Sequence, residues 1–540
     1  MRHLLFAVSI LAGVAPLSLS AGDAPAVRVA TKEAAIETMR RATAFMTGKV
    51  AVNGGYVWSY LPDLTRRWGE LEARPTMVWV QSPGTASMGH VFLDAYHATA
   101  DESYYRAAEQ TAGALIAGQL ACGGWNYAID FAGEKSLREW YDTIGRNAWR
   151  LEEFQHYYGN ATFDDSSTVD AARYLLRFYL EKRDAKAKAV LDRALQFILD
   201  AQYPVGGWPQ RAPPMDGFSK NGAPDYTGYI TFNDGVTHGI IEFLLECHQA
   251  LRDERLLEPI RRGMGCFLAT QHAAPQAGWS LQHTLDLEPA GARTYEPKSL
   301  ATHTTAANID ACLGFYRLTG DTKFLARVPE ALAWLESVKL SPEVQSNGGT
   351  HPTFVELGTN RPLFIHRRGS NVVNGAYFAD HDWHNTIGHY SSFRRIDSAG
   401  LRRRYEDAKS LSAAAATKDS PLLHPRTTAP FAKFFVRGGG FAGSGGRGGT
   451  AGTGSREERL TQMIAALNPA GYWPGELSTT SHPFSRHGGA EVVSGDFSRT
   501  QVGDETDTSP FRSTERATGI STATYIRNMT LLITFVADER

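Results

Sequence analysis

An all-α toroid of repeated helical hairpins, with a loop-rich C-terminal extension, is the fold that the sequence predicts. From about residue 85 onward, apolar residues recur at three- and four-residue spacing, the period of an amphipathic helix. No comparable apolar–polar alternation, the mark of a half-buried strand, runs through the same region. A glycine–aromatic punctuation recurs between the helical stretches, and one hairpin cannot bury its apolar stripe alone.

The elements follow in order. Arg2 and His3 precede an apolar run from Leu4 to Leu19, broken by Pro16, and the small residues Ser18, Ser20 and Ala21 lead into polar sequence at Gly22. That is the order of a secretory signal over residues 1–21, and the run falls short of the roughly 20 apolar residues of a membrane span. The mature chain is expected to be a monomer without stable membrane insertion, secreted or periplasmic. Residues 22–437 are expected to form the toroid. Helices are expected over Gly89–Thr99, Tyr105–Gln119, Val169–Lys182, Lys188–Gln202, Thr237–Arg252, Glu258–Gln271, Thr305–Thr319 and Phe324–Val338. Within Val169–Lys182, for example, Ala172, Leu175, Leu176 and Tyr179 make one stripe. Gln119 to Gly123-Gly124-Trp125 is echoed by Gln202 to Gly206-Gly207-Trp208, and more loosely by Gln271 to Gly278-Trp279. Those tryptophans are either core residues or aromatic platforms for a sugar. Residues 438–455 are so rich in glycine that they read as a linker or loop tip. The extension 456–540 has no assigned role, and its apolar run Met529–Val536 reads as a short helix rather than a strand.

Composition narrows the function. The chain is 42% hydrophobic and 21% charged with a formal net charge of -2, which offers no basic patch for nucleic acid. Cys122, Cys247, Cys266 and Cys312 show no CxxC spacing, which argues against zinc. One disulfide is permitted and none is assigned.

Four loops carry the candidate chemistry. Thr162-Phe163-Asp164-Asp165 and Thr231-Phe232-Asn233-Asp234 repeat one pattern just before a helix. Capping of the helix N-terminus would explain one Asx residue per loop, but not two in each. Two such pairs brought together would supply the oxygen ligands that calcium takes, from Asp164, Asp165, Asn233 and Asp234. The loop 289–300 offers Arg293, Tyr295, Glu296 and Lys298, and the loop 358–364 offers Asn360 and Arg361. An arginine fork suits a carboxylate, so several such loops on one face point to an acidic ligand.

Thr162-Phe-Asp-Asp165, Gly206-Gly-Trp-Pro-Gln210, Ile230-Thr-Phe-Asn-Asp234, Ala292-Arg-Thr-Tyr-Glu-Pro297 and Thr359-Asn-Arg-Pro362 resemble, in order and approximate spacing, the motifs of polysaccharide lyase family 10. The resemblance covers roughly residues 85–370. It implies an (α/α)₃ toroid and a pectate lyase acting on polygalacturonate or a related polyuronate, with Ca2+ as cofactor. It further implies that Asp164 and Asp234 serve calcium and the substrate carboxylate, that Arg293 is the base and that Arg361 binds substrate. Asn360, Trp208 and Tyr295 complete the expected substrate contacts. The sequence departs from the family at Ser166-Ser167, at Gly235-Val236, and at Lys298 with Ala301-Thr302-His303.

β-Elimination needs an acidified C5 proton, a base and a leaving oxygen at C4. An arginine base must give up a proton against a pKa above about 12, whereas a desolvated lysine does so more readily. Lys298 therefore competes with Arg293 for the role. Two other readings compete with the lyase. One is a glycoside hydrolase on an α/α toroid, with a pair such as Asp165 and Glu296 as acid and base. The other is a polyuronate-binding protein without turnover.

Overall fold

A computed structural model describes residues 31–538, apart from 149–150, 216–223, 346–348, 369–375, 385, 388–391, 426–428, 437–454 and 478–517. The expected signal over 1–21 and all but the last residue of the glycine-rich segment 438–455 lie outside the described residues. The helices are α1 Lys32–Phe45, α2 Thr85–Thr99, α3 Glu102–Ala117, α4 Glu134–Thr143, α5 Ser167–Lys182, α6 Ala185–Asp200, α7 Val236–Leu251 and α8 Leu257–Thr270. They continue as α9 Thr302–Thr319, α10 Lys323–Ala326, α11 Val328–Ser337, α12 Pro342–Gln345, α13 Ser398–Ser410, α14 Ala413–Ala416, α15 Arg456–Ala465 and α16 Thr522–Asp538.

Every expected helix is present, most of them opening a few residues early. Asp101 caps α3 by accepting from the Ser103 N–H, and Asp184 caps α6 by accepting from Ala187. The stretch Phe324–Val338 is not continuous. It breaks at Arg327, between α10 and α11, because Pro329 lacks the N–H that an unbroken helix would use there.

The architecture is the expected all-α toroid. Helices pair as α2 with α3, α5 with α6, α7 with α8, and α9 with α11, while α1 pairs with α16 from the far end of the chain. That is more than the three hairpins the resemblance implies. Helices α16, α2, α5 and α7 neighbour one another in turn as an inner row. Helix α2 is buried almost all round, as a helix enclosed by others must be. The apolar run at the C-terminus is helical, as expected. It lies within the main core rather than in a separate appendage, with Met529, Leu532 and Ile533 buried.

The repeated turns interlock the pairs. Trp125, Trp208 and Trp279 are core residues, each donating its indole N–H to a carbonyl of the preceding helix: Leu115 at 2.8 Å, Ile198 at 2.8 Å and Phe267 at 2.9 Å. The glutamine that opens each turn reaches forward to the next outer helix. Gln119 donates to Val190 O at 2.9 Å and Gln202 to Pro259 O at 2.9 Å. At Gly206, φ is +107° and a Cβ would lie 2.0 Å from the Arg262 carbonyl oxygen, so only glycine fits. A further copy, Gly471-Tyr472-Trp473, escapes the sequence pattern; Trp473 donates to Met463 O at 2.8 Å.

Where outer helices lead into inner ones, two-residue antiparallel ladders tie the loops together. Ala161–Thr162 pairs with Arg211–Ala212, Ile230–Thr231 with Gln282–His283, and Leu300–Ala301 with Phe354–Val355. These ladders set the loops that carry the candidate chemistry.

Candidate functional site

The two Asx loops adopt one conformation. Asp164–Ser166 and Asn233–Gly235 are short 3₁₀ turns that touch each other. In each the middle residue is left-handed, Asp165 at φ 46° and Asp234 at φ 52°, a region that Asp tolerates better than most side chains. Asp164 is therefore the structural counterpart of Asn233, and Asp165 of Asp234. Neither loop caps its helix, for α5 and α7 begin without a side-chain cap bond. The carboxylates are left for another purpose.

Arg293 draws these loops together. Its side chain is 1% exposed. The guanidinium lies 3.0 Å from Asp164 Oδ2, 3.2 Å from Glu153 Oε2, 3.3 Å from Glu296 Oε1 and 4.0 Å from Asp234 Oδ2. Asp164 also accepts from the Tyr127 hydroxyl at 2.7 Å. Asp165 accepts from Gln81 Nε2 at 2.7 Å, and Gln81 is itself held by the Trp79 indole at 2.9 Å. Glu152 accepts from the Thr294 N–H at 3.1 Å, pinning the loop that carries Arg293. Glu152, Glu153, Tyr127 and Gln81 escaped the sequence reading. An adjacent acid pair between Leu151 and Phe154 was the one visible hint, and no repeat marked it.

One cation among so many carboxylates leaves the cluster acidic. Burial first, then Asp164 and Asp234, raise Asp165 well above the usual carboxylate range. Burial raises Glu296 against the downward pull of Arg293. Asp234 is pushed up to about 8 by desolvation and the Asp164 carboxylate. With 30% of its side chain open to water, the neighbouring carboxylates carry that direction. Asp164 Oδ1 and Asn233 Oδ1 are buried without a hydrogen-bond partner. Such an all-oxygen set suits a hard cation. Among the described residues, no three His, Cys, Asp or Glu side chains converge into a ready-made cage, so a cation there would complete its shell with water or ligand.

A cavity of about 680 Å³ opens beside the cluster, and Asp234, Glu296 and the start of α9 are among its lining. A test of the loop arrangement is whether Asp164 and Asp234 share a face, and they do, within reach of one guanidinium.

Several expected contacts are placed elsewhere. Trp208 is 0% exposed and cannot offer a face to a sugar. Tyr295 is 1% exposed and packs in a small apolar cluster with Leu281, Phe354 and Ile365. The Asn360 amide oxygen accepts from the Trp334 indole at 2.9 Å and from Gln276 at 2.8 Å, which leaves only its NH2 for a ligand. Arg361, on the same turn, and Lys298 are exposed. The four cysteines are free thiols, and no helix among the described residues is long and apolar enough to cross a membrane.

Among solved structures, the chain is similar to a family 10 polysaccharide lyase from Cellvibrio cellulosa, at 17% identity and TM-score 0.39, covering 58% of this chain and 95% of that one. It is also similar to a cellobiose 2-epimerase from Spirochaeta thermophila, at 12% identity and TM-score 0.40, covering 94% and 96%. An α-1,6-mannanase from a Salegentibacter species matches at 16% identity and TM-score 0.31, covering 59% and 73%. No curated protein matches the chain. The profile of the family described as pectic acid lyase matches residues 130–381, the segment that carries Glu153, Asp164, Asp234, Arg293 and Glu296.

Proposed function

We propose that the chain is an exported lyase that cleaves polygalacturonate, or a related polyuronate, by calcium-assisted β-elimination at the acidic cluster. The observation that carries this reading is the meeting of two matching Asx turns with Arg293, inside the segment that matches the lyase family. In the elimination a base takes the C5 proton, its electron pair forms the C4–C5 double bond, and the C4–O bond breaks. Asp164, Asp165, Asn233 and Asp234 are the residues that would hold calcium. Bound there, the ion would neutralise the uronate carboxylate and acidify the C5 proton.

Arg293 is the proposed base. In the arrangement described it is a charged clamp, since each carboxylate around it stabilises the guanidinium. It becomes a base only when Asp164 and Glu296 turn to other partners. Lys298, exposed on the same loop, needs no such release and remains the competitor. The deciding experiment measures unsaturated uronide absorbance with polygalacturonate, with and without chelator, for wild type, Asp234→Ala, Arg293→Ala and Lys298→Ala. The reading expects no product in chelator or with Asp234→Ala, and loss of a base costs about 10²–10⁴-fold in rate. Full turnover in excess chelator sinks the calcium role. Reducing ends without unsaturated product would select hydrolysis instead.

A further inference from the structure

The cavity beside the cluster has a second pole that the elimination does not use. Helix α9 begins at Thr302 without a side-chain cap, and His303, Thr304, Ala307 and Asn308 face the cavity from its first two turns. Their spacing places them on one side of the helix. Arg394 lines the same end. Asn308 is 5% exposed, yet its Nδ2 has no hydrogen-bond partner, and neither has His303 Nδ1. A buried amide N–H without a protein acceptor is costly, and an acceptor brought into the cavity would satisfy it. Burial and Arg394 hold the His303 imidazole down to about 3, so it stays neutral and keeps one N–H to donate.

The donors at this end are N–H groups: a guanidinium, an amide, a neutral imidazole and the positive end of an 18-residue helix. The acidic side chains of the lining are Asp234 and Glu296, carried by the loops that precede α7 and α9. We propose that Arg394, His303 and Asn308 form a carboxylate site that takes a second uronate ring directly, without a metal ion. The site rests on the polyuronate reading for its ligand class. It differs in needing no cation, and His303 lies where this sequence departs from the family motif. The cavity of about 680 Å³ leaves room for more than one sugar ring.

Binding measured in chelator separates the two ideas. Digalacturonate and its dimethyl ester are titrated calorimetrically into wild type, Asn308→Ala, Asn308→Asp and Arg394→Gln, with folding checked by circular dichroism. Wild type should bind the acid and not the ester. Arg394→Gln and Asn308→Ala should weaken acid binding about tenfold or more, the scale of a lost hydrogen bond to a charged group. Asn308→Asp keeps the shape, and its charge should abolish acid binding. Equal affinity for acid and ester, or undiminished acid binding in Asn308→Asp, overturns the proposal even if elimination proceeds. Acid binding that depends on Asn308 and Arg394 in a chain that makes no unsaturated product upholds the site and rejects the lyase reading.

Discussion

Replacing Arg293 by methionine tests the clamp without touching the volume of the site greatly. The guanidinium satisfies Glu153, Asp164 and Glu296 within 3.0–3.3 Å, and those three side chains are 3%, 0% and 2% exposed. Removing one partner from a buried ion network typically costs about 3–5 kcal/mol, because the charge left behind has neither water nor counter-ion. The orphaned carboxylates answer by taking up protons, so their folded pKa values rise above the unfolded ones. Burial already raises Glu296, and Arg293 is what opposes that rise. The sign follows: stability is fully present below the unfolded carboxylate pKa and is lost as pH rises through the raised folded value. Urea unfolding in chelator should therefore show Arg293→Met near wild type at mildly acidic pH and weaker by about 3–5 kcal/mol at mildly alkaline pH. A midpoint for the variant that does not move with pH, or that equals wild type at alkaline pH, would refute the clamp.

Other expectations follow from single contacts. In chelator, wild-type thermal stability should fall as pH climbs from about 4, the unfolded value, through about 8, the folded value of Asp234; melting curves of Asp234→Asn should show a shallower slope, with the raised Asp165 and Glu296 supplying what is left. Trp208→Ala should cost about 3–5 kcal/mol of stability and leave KM for polygalacturonate unchanged, since the ring is fully buried; a large rise in KM with an intact fold would restore it as a sugar platform. Tyr127→Phe removes the 2.7 Å bond to Asp164 and should cost about 1–3 kcal/mol in unfolding measurements, with kcat falling more than KM; an unchanged kcat would show that Asp164 is held in place without it.

Much of the fold was legible because helices announce themselves in three- and four-residue spacing, and α2, α3 and α5 to α9 carry that spacing strongly. Helix α1 precedes the region where the pattern was read, and α16 surfaced only as an apolar run, since its partner lies at the opposite end of the sequence. The Asx loops were legible as a repeat in Thr-Phe-Asx-Asp, and their shared left-handed turn shows why. Glu153 was not, because what makes it part of the site is a tertiary approach of 3.2 Å to a residue 140 positions away. Trp208 and Tyr295 were misread for a common reason. Sequence motifs mark residues that must not vary in kind, and a side chain that fixes a turn from within looks the same as one that meets a ligand.

The pairing of α1 with α16 has a consequence for the order of assembly. Thr43 and Tyr525 share a hydrogen bond at 2.7 Å, and Thr522 donates to Val57 O at 2.6 Å across 465 positions. The strand Thr518–Ser521 pairs beside Ser59–Tyr60 in the same seam. Entropy of closure grows only with the logarithm of the gap, and the hairpins between these ends shorten the effective gap as they form. The ring is thus best shut last, by α16 closing on α1. Until α16 emerges from the ribosome, α1 lacks its main partner and part of its apolar side stays wet. If the chain is exported, the toroid cannot close before α16 has crossed, which keeps the preceding hairpins threadable until then.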